Sequence, residues 1–499
     1  MQPRVVAEAE TFHLIEASID SIQAALLAGR LTCRRLVELY LDRIAAYDRQ
    51  GPALHAVQNV NPRALAEAEA IDRRIASSGL FAPLAGIPVL VKDQLNSDFM
   101  PTTYGSVLFR DFVPARSATA VERLRRAGAV ILAKTTMGEF ATAYSGSAFG
   151  DCRNAYDPRR SPSGSSCGSG VGVAANFGTV GIGEDTGGSV RGPAAHGSLV
   201  GLRPTLPLVS RAGMMPFAPT RDTVGPIARS VRDAALLLDA IAGYDSADPV
   251  TAESYGRIPD SYTRSLLPDG LRGMRFGIVR HPFEKADVAA ADYREVQAVI
   301  DRAVADMRQR GAETVDAVVI RDFRTLFEKA GRGDTYEPEN AIDGFLAAQK
   351  EAPLRTLRDI LDRPEVHPRR RQELQRALGH STAEIGYLEE RQARDRLRIN
   401  LLALMAEERL DALIYATYDH APAEVPVSTP GSNRRLASLV GFPAISLPAG
   451  FFADGLPIGL ELLARPFAEA TLFRAAYDYE QTTRHRRPPS TVPPLPGEP

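Results

Sequence analysis

The chain has 499 residues, 44% hydrophobic and 24% charged, an ordinary composition for a folded globular protein. Its net charge of -2 argues for neither nucleic acid nor an acidic membrane surface as a partner, and neither is expected. Three cysteines (Cys33, Cys152 and Cys167), odd in number and without metal-ligand spacing, argue against a disulfide framework. No apolar run reaches the roughly 18 residues of a membrane span. The opening MQPRVVAEAE lacks the pattern of a secretory leader, so a cytoplasmic protein is expected.

The first eighty residues read as helices. Thr32 caps one in which Leu36, Leu39, Tyr40 and Ile44 share a face. Asn61 and Pro62 open the next, which Gly79 ends. Residues 87–91 read as a short buried strand ending at Lys92-Asp93. A helix over 117–127 stops at Gly128, and 130–133 is again a strand. Residues 153–170, rich in Pro, Ser and Gly, are loop. A helix over 171–176, a buried strand over 180–183 and an apolar helix over 230–242 capped by Ser230 follow. Then come a strand over 274–279 and a long helix near 290–310. Strands over 412–416, 444–447 and 458–463 precede a helix over 466–483. This alternation predicts an α/β fold, a large mixed sheet covered by helices on both faces. Residues 322–410 break it: highly charged and helix-biased, they read as a helical insertion over one end of the sheet. With no repeat and no linker, 1–485 reads as one domain and 486–499 as a loose Pro-rich tail.

Two loops carry the chemistry. SPSGSSCGSG (161–170) and GEDTGGSVRGP (183–193) place serines beside glycines about twenty residues apart. Glycines let backbone N–H groups crowd around one point, which suits a developing oxyanion. Serine can attack only with a base nearby, and a desolvated lysine can be that base. The chain has only five lysines, and Lys92 ends an apolar strand. GSSCG (164–168) formally matches a nucleophile elbow with Ser166 as the nucleophile, but no apolar strand precedes it. The chain lacks the metalloprotease HExxH and the phosphate-binding GxxxxGK[ST]. His196, near the second loop, reads as structural, and Cys167 as a small residue in a glycine-like slot.

Taken together, these residues resemble the amidase-signature family, whose hallmark is close to GGSSGGS, GTDTGGSIRxPA and GLKPT. The chain reads GSSCGSG, GEDTGGSVRGPA and GLRPT. AGIPVLVKD (85–93), AKTTMGEF (133–140), RNAYD (153–157), ASLVGFPAISLPAG (437–450) and GLPIGLE (455–461) extend the likeness over about residues 20–485.

The resemblance implies Ser189 as acyl-forming nucleophile. Ser165 would be the bridging serine, its bond to Gly164 cis as in the family, and Lys92 the base. The N–H groups of Thr186, Gly187, Gly188 and Ser189 would form an oxyanion hole, with Asp185 and Arg191 bracing the loops. Met137 and Gly138 are candidates for substrate contact. Glu184 stands where threonine is usual, Cys167 where glycine is usual, and Thr136 and Gly138 where Asn and an acid are common. These departures are read as bearing on specificity rather than chemistry.

The resemblance further implies hydrolysis of C–N amide bonds in small or medium, largely uncharged substrates. It implies no metal and no organic cofactor. Esters, anilides and carbamates are alternates. The expected partner is a small-molecule amide, with a homodimer left open. A glutaminase subunit of a tRNA-dependent amidotransferase and a non-catalytic binding module are the competing readings. Substrate walls are expected from 137–149, 211–222 and the insertion.

Overall fold

A computed structural model describes residues 12–331 and 334–499. In chain order the strands are β1 (Val57–Val60), β2 (Pro88–Lys92), β3 (Val130–Thr135), β4 (Ser145–Gly146), β5 (Gly150–Asp151), β6 (Val180–Glu184) and β7 (Val200–Arg203). They continue with β8 (Val224–Ala228), β9 (Arg275–Ile278), β10 (Glu313–Val315), β11 (Ala412–Ala416), β12 (Ala444–Phe451) and β13 (Pro457–Ala464). Eleven of them form one mixed sheet in the order β1-β3-β2-β6-β8-β7-β12-β13-β11-β9-β10, and β4 with β5 makes a separate hairpin. Pairing is parallel at β3-β2-β6 and β11-β9-β10 and antiparallel elsewhere in the sheet.

Both faces of the sheet are covered, and the period-2 alternation of β11 shows it. Ala412, Ile414 and Ala416 join one buried cluster, while Leu413 and Tyr415 join another. The first cluster includes Val299, Ile300, Ala303 and Met307 of the helix Ala291–Gln309. The second includes Leu397, Leu401 and Met405 of the helix Ile385–Glu407. Parallel strands buried on both faces read as apolar runs, which is why β2, β3 and β6 were legible.

Strands β1, β7, β8 and β10 were not anticipated. They are three to five residues long and carry little periodicity. The helix expected from 171 starts earlier, at Cys167, inside the serine-rich loop. Between 322 and 410 the described residues form five helices and no strand. Ile342, Leu346, Leu357 and Ile360 of this segment pack on Tyr104, Phe109, Phe140 and Phe217, a third buried cluster.

The tail is not loose. Leu14 N–H donates to Pro499 O (3.1 Å). The fully buried Arg43 donates to Val492 O (2.8 Å), Pro493 O (3.2 Å) and Glu498 Oε2 (2.9 Å). Within the tail, backbone N–H groups bond Pro489 O and Leu495 O, which leaves the carbonyls of Val492 and Pro493 for the guanidinium. Residues 1–10, where a leader would stand, lie outside the described residues. Among those described, no helix is long and apolar enough to cross a membrane.

Ending the chain at Thr491 strips Arg43 of its counter-charge and two carbonyl partners. Breaking a buried pair on one side costs about 3–5 kcal/mol. The truncated chain is expected to unfold at clearly lower urea than the full chain, and equal midpoints would show that the tail contributes nothing.

Candidate active site

The site begins with strand pairing. β2 and β6 are parallel neighbours with Val91 opposite Ile182, so their carboxyl ends emerge on the same edge. That brings Lys92 beside Glu184. Lys92 is fully buried, and its Nζ donates to Ser165 Oγ (2.8 Å) and to Glu184 Oε2 (2.9 Å). Lys134, one strand away, is equally buried but paired with Asp93 at 2.8 Å. Position 184 was expected to bear on specificity alone. Its carboxylate instead contacts the lysine directly, because parallel register places the two strand ends at one level.

Ser165 lies in the first loop, 1% exposed, and the Gly164–Ser165 peptide bond is cis. A side chain at position 164 is excluded, since a Cβ there would sit 1.7 Å from Ala143 O. Gly138 N–H donates to Ser165 O (3.1 Å), and Ser166 N–H to Ser189 O (3.3 Å), which ties the two loops together. Ser166 Oγ donates to Glu184 O (3.1 Å) and accepts from Glu184 N–H (3.2 Å). Fully buried and held by backbone, Ser166 is a loop fastener. Ser189 lines a cavity of about 310 Å³ together with Gly164, Thr186 and Gly187.

Asp185 holds the second loop. It accepts from Gly188 N–H (2.8 Å), Val190 N–H (3.1 Å), Arg191 Nη2 (3.1 Å) and Arg203 Nη1 (3.0 Å). Burial disfavours its charge, yet Arg191 and Arg203 hold the carboxyl well below the usual range. Arg191 in turn pairs with Glu461, which also accepts from Tyr415 (2.7 Å). This network corrects one expectation: the Gly188 N–H points to Asp185 and is not available to an oxyanion. The N–H groups of Thr186, Gly187 and Ser189 have no acceptor among the described residues. Gly188 itself has φ +109°, and a Cβ there would lie 2.3 Å from Arg434 Cβ.

Met137 and Gly138 do not line the cavity. Met137 is fully buried in the aromatic cluster, and Gly138 supports Ser165 from behind. The wall is formed instead by residues 141–144 just beyond them. Phe217, Arg221, Asp334 and Glu373 also line the cavity, so the insertion supplies part of its rim. Arg221 is paired with Asp334.

Sequence reading missed Tyr418 and Arg434. Arg434 donates to Gly188 O (2.9 Å), Ser163 Oγ (3.3 Å) and Gly164 O (3.4 Å) while stacking on Tyr418 at 4.5 Å. It clamps the two loops from more than 240 residues away in the chain. No local pattern could have signalled it.

His196 is structural: its Nδ1 bonds Ser161 O (3.0 Å), and burial, with Arg434 nearby, depresses it to about 3. Cys167 is buried and free. Among the described residues, no group of three or more His, Cys, Asp or Glu is placed to hold a metal ion.

The Amidase family profile matches residues 35–473. A probable amidase of Arabidopsis thaliana is 33% identical over 97% of this chain and 93% of its own length. A glutamyl-tRNA(Gln) amidotransferase subunit from Thermosynechococcus vestitus is 34% identical over 93% of this chain and 98% of its own. The crystal structure of native peptide amidase from Stenotrophomonas maltophilia is 37% identical and superposes with a TM-score of 0.88. It covers 98% of this chain and 100% of that one. With a buried lysine on serine, two interlocked glycine-serine loops and this match along most of its length, the chain belongs to the amidase family of hydrolases.

Proposed function

We propose that the protein hydrolyses the C–N bond of small or medium linear amides through an acyl-enzyme on Ser189, with Ser165 and Lys92 as proton relay. The observation that carries this reading is the 2.8 Å contact between buried Lys92 Nζ and Ser165 Oγ, beside the cavity that Ser189 lines. Ser189 Oγ attacks the amide carbonyl, and its proton passes to Ser165 Oγ as Ser165 passes its own to Lys92. The negative charge that forms on the carbonyl oxygen meets the free N–H groups of Thr186, Gly187 and Ser189. The relay returns a proton to the departing nitrogen, which leaves as the amine or ammonia. Water then attacks the acyl-enzyme by the same relay and frees the acid. Esters, anilides and carbamates are compatible with the same route. The cavity wall carries Arg221, Asp334, Glu373 and Arg434, so the fitting substrates are polar rather than largely apolar. Nothing in the route requires a metal or an organic cofactor.

A second reading is favoured by the amidotransferase subunits among the relatives, 34% identical at near full length. In that case the chain would release ammonia from glutamine for a partner enzyme. Hydrolysis of a panel of amides by the isolated chain supports the stand-alone reading. Activity confined to glutamine, and only with a partner present, supports the other.

Lys92 must shed its proton before it can accept one from serine. The rate is therefore expected to rise with pH over the neutral to alkaline range. Lys92→Arg should lose activity by several orders of magnitude, since arginine stays protonated. An arginine variant with near-normal turnover would make Lys92 structural.

Serine labelling separates the hydroxyls. Ser189→Ala is expected to abolish both turnover and the fluorophosphonate adduct. Ser165→Ala should retain a trace, with water bridging part of the relay. Ser166→Ala should be milder, because it removes only the fastening to Glu184. Peptide mapping that finds the adduct on Ser166 overturns the mechanism.

Dialysis against a strong chelator should leave turnover unchanged. A large loss restored by zinc would refute the assignment.

A further inference from the structure

Behind Lys92 lies a buried chain of acids that the relay does not use. Glu184 Oε2 accepts from Lys92 Nζ at 2.9 Å, and Glu184 Oε1 lies 2.6 Å from Thr186 Oγ1. Thr186 Oγ1 lies 2.7 Å from Asp222 Oδ1. Asp222 Oδ2 is fixed by Phe217 N–H (2.7 Å) and Ala218 N–H (2.9 Å). Lys92, Glu184 and Asp222 are fully buried and Thr186 is 6% exposed.

Two physical consequences follow. A hydroxyl carries one proton, so Thr186 cannot donate to both carboxylates at once. Burial, and then the Glu184 charge, push Asp222 up to about 6, against hydrogen bonds from Thr186 and Phe217 and the charge of Arg221. The second consequence concerns Glu184. Its outer oxygen shares the Thr186 hydroxyl with Asp222, while its inner oxygen meets the Lys92 ammonium at 2.9 Å. The other hydrogen-bonding side chain on Lys92 Nζ is the neutral Ser165 hydroxyl.

We propose that Glu184 is a positioning residue that holds the Lys92 ammonium against Ser165 and sets the pH at which amide hydrolysis switches on. This rests on the serine-serine-lysine reading and adds an acid to it that the family pattern does not have, since threonine is usual at this position. The groups facing Glu184 are Lys92 from β2, Ser166 from the first loop, and Thr186 with Asp222 from the second loop and the turn before β8. Arg203 on β7 lies near enough for its charge to act on Glu184, and Arg221 faces Asp222. Asp185 is already neutralised by Arg191 and Arg203.

An opposite charge in contact shifts a titration by about 1–3 pH units. Removing the Glu184 carboxylate should therefore move the onset of activity to lower pH by that amount. The experiment measures the rate of fluorophosphonate labelling and kcat/KM from pH 5 to 10 in the parent, Glu184→Gln and Glu184→Thr. Gln keeps the shape, and Thr restores the family residue, so one guards against a folding failure of the other. Thermal melts confirm that each variant is folded. The expected result is an acid limb displaced to lower pH by at least one unit in both variants, so that below the limb each reaches a severalfold larger fraction of its own plateau than the parent does. A merely structural role would lower the plateau and leave the limb in place. Unmoved limbs with the label still on Ser189 overturn this inference and leave the relay standing. A folded variant that is inert at every pH overturns it too. A label found away from Ser189 in the parent overturns the relay and this inference together.

Discussion

Everything at this site depends on a lysine taken out of water. Lys92 is fully buried, and a buried ammonium is tolerated only where a partner meets it. Here two partners do, Ser165 Oγ and Glu184 Oε2, one from a loop and one from the adjacent strand end. The contact with Ser165 ties the first loop to the sheet, and the contact with Glu184 ties the second loop to the same point. The parallel β2-β6 pair is what makes both possible. In an antiparallel pair the two strand ends would lie on opposite edges of the sheet.

Around that point, charge is used as a fastener. Asp185 takes two backbone N–H groups and two guanidiniums, so the loop before Ser189 has little freedom left. Arg191 reaches through to Glu461 on β13, and Arg203 comes from β7. The second loop is thus anchored to two strands of the sheet, β13 and β7, as well as to its own neighbours. Isolated buried ion pairs seldom stabilise a fold, but a network with its hydrogen bonds filled defines one loop conformation. The cost of committing the Gly188 N–H to Asp185 is one donor fewer over the cavity.

The outer wall is built differently. Aromatic rings of Tyr104, Phe109, Phe140 and Phe217 meet apolar side chains of the 338–361 helices. Asp334 and Glu373 then bring carboxylates to the cavity rim. The cavity floor is made of sheet ends and loops, and the rim of a segment with no strands among its described residues. A rim of this kind can change its side chains without disturbing the floor.

The sequence alone determined the parts that are local. Short apolar runs bounded by Gly or Pro marked β2, β3 and β6, because strands buried on both faces have no polar side to confuse the pattern. The serine loops and Lys92 were legible because each lies in a short motif whose residue types carry chemistry, and the Asp185-Arg191 brace was implied by the family resemblance those motifs carry. Tertiary structure alone decided the rest. The short strands β1, β7, β8 and β10 draw their stability from neighbours in the sheet rather than from their own pattern. The tail is held by Arg43, some 450 residues away in the chain. Arg434 closes the site from the far end of the sequence. Glu184, a single unexpected letter in a known motif, proved to touch the buried lysine only because two strands run side by side in one register. Propensity and periodicity report what a segment prefers by itself, whereas which charge meets which across the sheet is set by pairing between segments that the chain order does not reveal.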